Sequence, residues 1–164
     1  MSRIPIAIID YGAGNLRSVE KALEHLGHKP IITSSPKDVQ NAPVVVFPGQ
    51  GIAGPCMQNL ENSGLLEALK GRATENKPLF GVCLGLQLLL SWTEEGNQDC
   101  LDIIEGKNIR FPQKAKVPHM GWNSVTQTIK HPLFKDVNNE TQFYFVHSYY
   151  AVPQNDSFVI GTTE

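Results

Sequence analysis

One cysteine in this sequence has neighbours that suit a nucleophile. Cys83 lies in Gly81-Val82-Cys83-Leu84-Gly85, between the apolar runs 79–82 and 84–90, which we interpret as a buried strand and a buried helix. Gly81-x-Cys83-x-Gly85 is then the thiol form of the nucleophile elbow, a strained turn whose small neighbours let chain and substrate come close. Free N–H groups at a helix N-terminus also stabilise a thiolate. Most cysteines are simply buried core residues, but the two glycines favour the nucleophile.

A second feature of chemical interest is Pro48-Gly49-Gln50-Gly51, hereafter the glycine segment, which follows the apolar run 44–47. In a parallel sheet the active site forms beyond the carboxyl ends of the strands, so this segment and Cys83 are predicted to share one crevice. Its backbone N–H groups are candidates for an oxyanion hole, where one donor is typically worth about 10²–10³ in rate. A plain turn is the alternative.

The elements needed to position these residues alternate along the first half of the chain. Apolar, strand-like runs at 4–9, 31–33, 44–47 and 79–82 are separated by helical patterns at 16–26, 36–40 and 65–73. Asn15 and Ser35 are plausible helix caps, and Pro36 suits a first helical position. This alternation predicts an α/β fold with an open, largely parallel sheet flanked by helices.

After Trp92 the pattern changes to short β segments, predicted around 101–104, 108–111, 123–128, 142–150 and 158–162. The stretch 117–123 is predicted to be a loop bounded by proline and glycine. It contains His119, Met120 and Trp122. This composition suits either the edge of a core or a binding surface, and composition alone does not choose between them.

Composition excludes several classes of function. The 164 residues fit one domain, residues 1–164, and the formal net charge is −2 without any run of basic residues. Nucleic acid and membranes are therefore not expected as partners. The three cysteines are odd in number and widely spaced, which argues against a disulfide framework. We expect a soluble, cytoplasmic protein.

Glycine motifs for cofactors are incomplete. Gly12-x-Gly14 lacks the third glycine of a dinucleotide site, and Gly106-Lys107 lacks the upstream glycine and the Ser or Thr of a Walker motif. We expect neither a cofactor nor a metal.

A cysteine nucleophile usually has a histidine within hydrogen-bonding reach. Of the five histidines, His147 is the best candidate that spacing supplies, because it lies on a predicted late strand. The alternative is a histidine of the core whose hydrogen bonds are satisfied there, and both interpretations stay open.

These features together resemble the class I glutamine amidotransferases, and among them the family of glutaminase subunits of imidazole glycerol phosphate synthase. The resemblance extends from the first strand to the last residue. It rests on five motifs: Asp10-Tyr11-Gly12-Ala13-Gly14-Asn15-Leu16, the glycine segment, Gly81-Val82-Cys83-Leu84-Gly85-Leu86-Gln87, Pro118-His119-Met120-Gly121-Trp122-Asn123 and Phe143-Tyr144-Phe145-Val146-His147-Ser148-Tyr149.

The resemblance implies a flavodoxin-like amidotransferase fold and a role for each motif. Cys83 would attack the side-chain amide of glutamine and release ammonia through a glutamyl thioester. A (β/α)₈-barrel synthase/cyclase subunit would use that ammonia in histidine biosynthesis. The implied residues are Gly49, Gln50 and Gly51 for the oxyanion, Gln87, Glu95, His147, Ser148 and Tyr149 for the glutamine pocket, and Asn15, Met120, Trp122 and Asn123 for the barrel interface.

The sequence departs from this family in two places. Gln50 stands where members usually carry Val, and the His-Pro-Glu motif that holds the family's base and acid is not found in residues 1–164. We therefore expect a copy truncated at its C-terminus, without part of the fold, that hydrolyses glutamine weakly. Two other functions remain open: a docking module for the synthase subunit, and an independent cysteine amidase with a Cys83–His147 dyad.

Overall fold

The computed structural model describes residues 4–164, and its first half forms a parallel sheet with helices on both faces. The elements are β1 (Ile6–Ile9), α1 (Leu16–His25), β2 (Ile31–Thr33), α2 (Pro36–Asn41), β3 (Val44–Gly49), α3 (Ala53–Asn62), α4 (Leu65–Thr74) and β4 (Leu79–Cys83). The sheet has the order β2-β1-β3-β4, and all three neighbouring pairs are parallel. The predicted α/β fold is confirmed.

Two local caps begin helices of this half, as predicted. The side chain of Asn15 accepts a hydrogen bond from the Ser18 N–H at 3.3 Å. Ser35 does the same for Asp38, and Pro36 occupies the first turn of α2. Each cap satisfies a donor that the helix itself leaves free. No helix among residues 4–164 combines the length and apolarity that crossing a membrane requires.

The core lies on both faces of the parallel sheet. On one face, Ile8 and Val46 pack with the apolar side of α1. On the other, Phe47 packs in the larger cluster with residues of α2, α3 and α4, including Val39, Leu60 and Leu69. Strands buried on both faces need continuous apolar runs, which explains why β1 and β3 show no alternation of polar residues.

The second half consists mainly of short strands in three small sheets. The elements are α5 (Leu84–Gln87), β5 (Leu90–Thr93), β6 (Gln98–Asp99), β7 (Ile104–Arg110), β8 (His119–Ser124), β9 (Thr126–Gln127), β10 (Gln142–His147), β11 (Tyr149–Pro153) and β12 (Gly161–Thr162), with single turns of 3₁₀ helix at Pro132–Phe134 and Asp156–Phe158. One sheet has the order β11-β7-β5-β6, and the other two are the pairs β10-β8 and β12-β9. Among these pairs only β5–β7 is parallel.

The helix predicted over 84–90 is wrong beyond Gln87. The carbonyls of Leu88, Leu89 and Leu90 accept hydrogen bonds from backbone N–H groups of residues 101–104, with distances of 2.9–3.0 Å. These carbonyls therefore satisfy a distant segment instead of the next helical turn, and Leu90 begins β5. An apolar run has no periodicity that distinguishes a buried helix from a buried strand.

Other predictions of local structure also need correction, and one helix was missed. The sequence analysis did not predict α3, which carries Gly54 and Pro55 near its start and has Ile52, a residue without a capping side chain, at its cap position. The predicted loop 117–123 becomes strand β8 from His119 onward, paired along its length with β10. The single strand predicted over 142–150 is interrupted at Ser148, where the chain passes from β10 to β11.

Candidate active site

Cys83 occupies a strained turn between β4 and α5. Its backbone has φ +56° and ψ −120°, and its side chain is exposed. A positive φ is costly for a residue with a Cβ and persists where the surrounding structure enforces it. The elbow geometry predicted from the sequence is therefore present. The following helix has only four residues, so the dipole that it supplies is smaller than the predicted 84–90 helix would give.

The glycines of the elbow are required by close packing. A Cβ added to Gly85 would lie 1.9 Å from the carbonyl oxygen of Phe47, and one added to Gly81 would lie 2.7 Å from the Cα of Leu86. Both neighbours are backbone atoms that cannot rotate away. The Gly-x-Cys-x-Gly spacing thus lets α5 fold back against β3 and β4.

The glycine segment lies beside the elbow, as predicted. Gly49 is opposite Cys83 in the register of β3 and β4. A Cβ on Gly49 would lie 2.8 Å from the backbone nitrogen of Gly85 and 2.5 Å from the hydroxyl oxygen of Tyr11. The loop after β1 also approaches, since a Cβ on Gly14 would lie 3.7 Å from the Cα of Gly49. The ends of three strands therefore converge on a backbone nearly free of side chains.

Cys83 differs from the other two cysteines in its exposure. All three thiols are free, but Cys56 and Cys100 are buried. Burial raises the pKa of the Cys56 thiol, and it raises the pKa of Cys100 to about 11. Both buried thiols therefore remain protonated at neutral pH, which leaves Cys83 as the accessible candidate.

The end of α5 contacts the start of β11, which brings several predicted pocket residues together. Gln87, one helical turn after Cys83, donates from Nε2 to the carbonyl oxygen of Tyr149 at 3.0 Å. The same carbonyl accepts from Nδ1 of His147 at 3.0 Å. The carbonyl of Ser148 accepts from the N–H of Phe111 at 3.1 Å. The 147–149 segment is thus held at both sides of its bend and lies next to the elbow helix.

His147 is surrounded by aromatic rings. The ring of Phe111 meets it edge-on with centroids 4.8 Å apart, and those of Phe145 and His119 lie 5.5 and 5.7 Å away. Burial lowers the pKa of His147, and the neighbouring His119 acts in the same direction, while the hydrogen bond to Tyr149 opposes them. Among residues 4–164 no hydrogen bond joins Cys83 to a histidine.

Glu95 contacts the chain just after the glycine segment. Its Oε2 accepts from the backbone N–H of Ala53 at 2.8 Å and so caps α3, whose own cap residue makes no such bond. A carboxylate at a helix N-terminus is favoured by the helix dipole. The site residues predicted from the two halves of the chain, Glu95 and residues 49–51, therefore belong to one neighbourhood.

The three predicted interface residues of β8 lie on the two faces of that strand. Met120 and Trp122 project from one face of β8 and are 60% and 66% exposed. Asn123 is on the other face, where its Nδ2 donates to the carbonyl of Glu164 at 2.6 Å and its Oδ1 accepts from His119 at 2.7 Å. Asn15 caps α1.

Two residues that the sequence analysis did not single out extend the exposed apolar surface. Tyr144 lies opposite Trp122, and Val146 lies opposite Met120, in the antiparallel register of β10 and β8. About half of each of these two side chains is exposed. The rings of Trp122 and Tyr144 meet edge-on, with centroids 5.4 Å apart. These four side chains are called the Trp122 face below. Alternation along β10 was the available signal.

Asn108 is another residue that sequence reasoning missed. It is fully buried, and its Nδ2 donates to the carbonyls of Gln87 at 2.9 Å and Trp92 at 3.2 Å. It thereby fixes the end of α5 against β5. A single asparagine in a strand of mixed composition gives no signal for this role.

Comparison with known proteins agrees with this architecture. The family model "Glutamine amidotransferase class-I" matches residues 7–164. A crystal structure of a glutamine amidotransferase superposes with a TM-score of 0.70 at 16% identity, covering 91% of this chain and 74% of the other. A glutamine amidotransferase from Thermotoga maritima gives 0.61 at 13% identity, covering 93% and 64%. At such identities the two structures show a shared fold.

Curated relatives are much more similar in sequence. The imidazole glycerol phosphate synthase subunit HisH of Moorella thermoacetica is 50% identical over 161 residues, which are 98% of this chain and 77% of that protein. The HisH subunit of Neisseria meningitidis serogroup B is 48% identical over an alignment of 172 positions, which covers 96% of this chain and 81% of that protein. The chain therefore belongs to the class I glutamine amidotransferases and, within them, to the family of the HisH subunits.

Proposed function

We propose that this chain is the glutaminase subunit of an imidazole glycerol phosphate synthase and supplies ammonia for histidine biosynthesis. The single observation that carries the chemistry is the position of Cys83, an exposed thiol on a strained turn directly opposite Gly49. Family membership supplies the substrate class, glutamine.

The reaction follows from this arrangement. The sulfur of Cys83 attacks the side-chain carbonyl carbon of glutamine, and the negative charge that develops on the carbonyl oxygen is stabilised by backbone N–H groups of the glycine segment. The nitrogen takes up the proton that the thiol has lost, the carbon–nitrogen bond breaks, and ammonia leaves while a glutamyl thioester remains. Water hydrolyses the thioester to glutamate and restores the thiol.

Residues around the elbow form the glutamine pocket in this proposal. Gln87 and the 147–149 segment supply one wall, because the Gln87 carboxamide is already bonded to the Tyr149 carbonyl. Glu95 supplies negative charge next to the glycine segment. A carboxylate in this place suits the ammonium group of a free amino acid. Gln50, whose side chain is exposed, leaves its backbone to the oxyanion.

The Trp122 face is the proposed docking surface for the synthase subunit. Large aromatic residues and Met are enriched in the buried centres of interfaces, and this face exposes two aromatic rings and a methionine side by side. We propose that the partner is a (β/α)₈-barrel subunit that receives the ammonia.

An independent amidase is the second candidate function, and His147 is the residue that would set it apart. Its Nδ1 is bonded to the Tyr149 carbonyl and its ring is enclosed by aromatic rings, which favours a role in the pocket wall over that of a base. An independent amidase predicts glutamine turnover without any partner, abolished by His147→Ala.

Labelling with a diazoketone analogue of glutamine tests the nucleophile, because alkylation needs no glutamine turnover. We expect one covalent adduct per chain, located on Cys83 by mass spectrometry and absent from Cys83→Ala. Cys100→Ala, which removes a buried thiol, is the matched control and should label like the wild type. An adduct that survives Cys83→Ala would refute the assignment.

Synthase activity separates a glutaminase from a docking module. The barrel subunit with this chain should use both glutamine and free ammonia if the chain is a glutaminase. A chain that only docks would support the reaction with ammonia alone.

A further inference from the structure

We propose that Tyr11 is a positioning residue for the oxyanion site, because its hydroxyl group holds the glycine segment in place beside Cys83. This inference rests on the proposed function. It assigns to Tyr11 no contact with the substrate: Tyr11 acts through the backbone of Pro48 and Gly49.

The contact that carries the inference is a buried hydrogen bond. Tyr11 follows β1 by two residues and is only 4% exposed. Its ring packs against Phe47, with centroids 5.4 Å apart, and its hydroxyl donates to the carbonyl oxygen of Pro48 at 3.0 Å. Two strand ends that are 37 residues apart in the sequence are thereby joined under the glycine segment.

This hydrogen bond fixes a peptide plane. The carbonyl of Pro48 and the N–H of Gly49 belong to the same planar unit, so holding the carbonyl also sets the direction of the N–H. The hydroxyl fits there only because residue 49 is glycine, since a Cβ at that position would lie 2.5 Å from it. Position 49 therefore requires glycine because the Tyr11 hydroxyl lies where a Cβ would collide with it.

A weaker contact holds the other end of the segment. The thiol of Cys56, in the first turn of α3, contacts the carbonyl oxygen of Gln50 at 4.0 Å. The carbonyls of Pro48 and Gln50, which flank the Gly49–Gln50 peptide, are thus contacted by the side chains of Tyr11 and Cys56 respectively.

The hydroxyl of Tyr11 is protonated, and is therefore a donor, at neutral pH. Burial raises its pKa well above the usual value, and Cys56 and Cys83 act in the same direction.

The test compares two reactions of the Cys83 thiol in the full chain. Acylation by the 4-nitrophenyl γ-ester of glutamate passes through an oxyanion but needs no proton donor for its leaving group, nitrophenolate. Alkylation by iodoacetamide forms no oxyanion. We expect Tyr11→Phe, which keeps the ring packed on Phe47, to slow nitrophenolate release about tenfold. Removing an oxyanion donor altogether typically costs about 10²–10³ in rate, and a donor that is only less well held should cost less. KM for the ester and the iodoacetamide rate should stay within about twofold.

Controls make the outcomes distinct. Tyr150→Phe removes a hydroxyl from another aromatic cluster and should react like the wild type. If the wild type releases nitrophenolate no faster than Cys83→Ala, the proposed function fails. If the wild type reacts but Tyr11→Phe is equally fast, or is slowed equally toward iodoacetamide, the positioning role is overturned.

A second variant covers the possibility that Tyr11→Phe does not accumulate as folded protein. Cys56→Ala removes the thiol that contacts both the Gln50 carbonyl and the Tyr11 side chain, and it should slow ester acylation about threefold, again without an effect on alkylation. Unchanged acylation in that variant would overturn the inference.

Discussion

Gly49 and Cys83 lie directly opposite each other at the carboxyl ends of two neighbouring parallel strands. Gly85, two residues after the thiol, packs its Cα against the carbonyl of Phe47 on the same strand as Gly49. The nucleophile and the backbone proposed to stabilise the oxyanion are therefore parts of one closely packed unit. Substitutions that separate the two strands should reduce reactivity even where the thiol itself is retained.

Gly85→Ala tests this packing. Its Cβ would lie 1.9 Å from the Phe47 carbonyl oxygen, so β3 and the elbow must move apart. We expect a loss of about 1–3 kcal/mol or more in the free energy of unfolding and a large loss of diazoketone labelling. The measurements are urea unfolding and mass spectrometry.

Gly54→Ala is the matched control. Gly54 lies in α3, and the nearest atom to its added Cβ is a flexible glutamine oxygen at 3.4 Å. Alanine favours helices, so this variant should be as stable as the wild type or more so by up to about 1 kcal/mol. Equal losses in both variants would show that steric conflict at the elbow is not the cause.

Arg72 should be required for the position of β4. Its side chain is fully buried, and its guanidinium donates to the backbone carbonyls of Val39, Ala42 and Pro78 at 2.6–2.8 Å. Arg72→Met leaves the carbonyls of Val39 and Ala42 without the guanidinium, each at a cost of about 1–3 kcal/mol. The carbonyl of Pro78 keeps only the N–H of Val45, at 3.2 Å. We expect destabilisation of about 3 kcal/mol or more in urea unfolding.

The control for Arg72 is its neighbour on α4. Lys70 is exposed, so Lys70→Met should change the free energy of unfolding by no more than about 0.5 kcal/mol. Arg72→Lys keeps the charge but offers fewer donors in a different geometry, and it should be intermediate. A stable Arg72→Met protein would show that water replaces the guanidinium.

His147 should make the protein sensitive to acid. Because burial lowers its pKa, the unfolded chain binds a proton more readily than the folded one. The contribution of His147 to the free energy of unfolding is therefore fully present at pH values above the unfolded pKa of about 6.5. It decreases as the pH drops below that value. On moving from pH 7.5 to 5.5, the wild type should lose more in Tm than His147→Gln does.

Two comparisons sharpen this pH test. His25→Gln removes a histidine at the exposed end of α1 and should lose as much Tm on acidification as the wild type. His119, whose ring lies 5.7 Å from that of His147, is present in the wild type and in both variants, so it is not the residue whose removal is compared. Identical acid losses in the wild type and His147→Gln would contradict the prediction.

The elbow could be predicted because its signal is local. Gly81, Cys83 and Gly85 stand within five residues, and the caps at Asn15 and Ser35 are equally short-range. The proximity of the glycine segment followed from a general rule about strand ends.

What the sequence did not reveal depends on contacts between distant residues. The helix after Cys83 stops because Leu88–Leu90 carbonyls bond to residues 101–104. The bond between Tyr11 and Pro48 joins residues 37 positions apart. The family resemblance implies an interface role for Asn123 together with Met120 and Trp122, but alternation along β8 places Asn123 on the opposite face. In each case tertiary structure decides between options that the local pattern leaves equal.

The Trp122 face provides a last prediction, on the proposed docking of a (β/α)₈-barrel subunit. Trp122 is the most exposed of its four side chains and packs edge-on against Tyr144, so truncation removes a large apolar surface without opening the core. Buried aromatic residues at interface centres contribute most of the binding energy, and Trp122→Ala should weaken binding to the barrel subunit by about 30-fold or more. Isothermal titration measures Kd, while Tm and diazoketone labelling of the isolated chain should not change.

Leu26→Ala removes an equally exposed apolar side chain at the far end of α1 and should leave Kd unchanged. If Trp122→Ala binds the barrel as tightly as the wild type, the docking surface lies elsewhere.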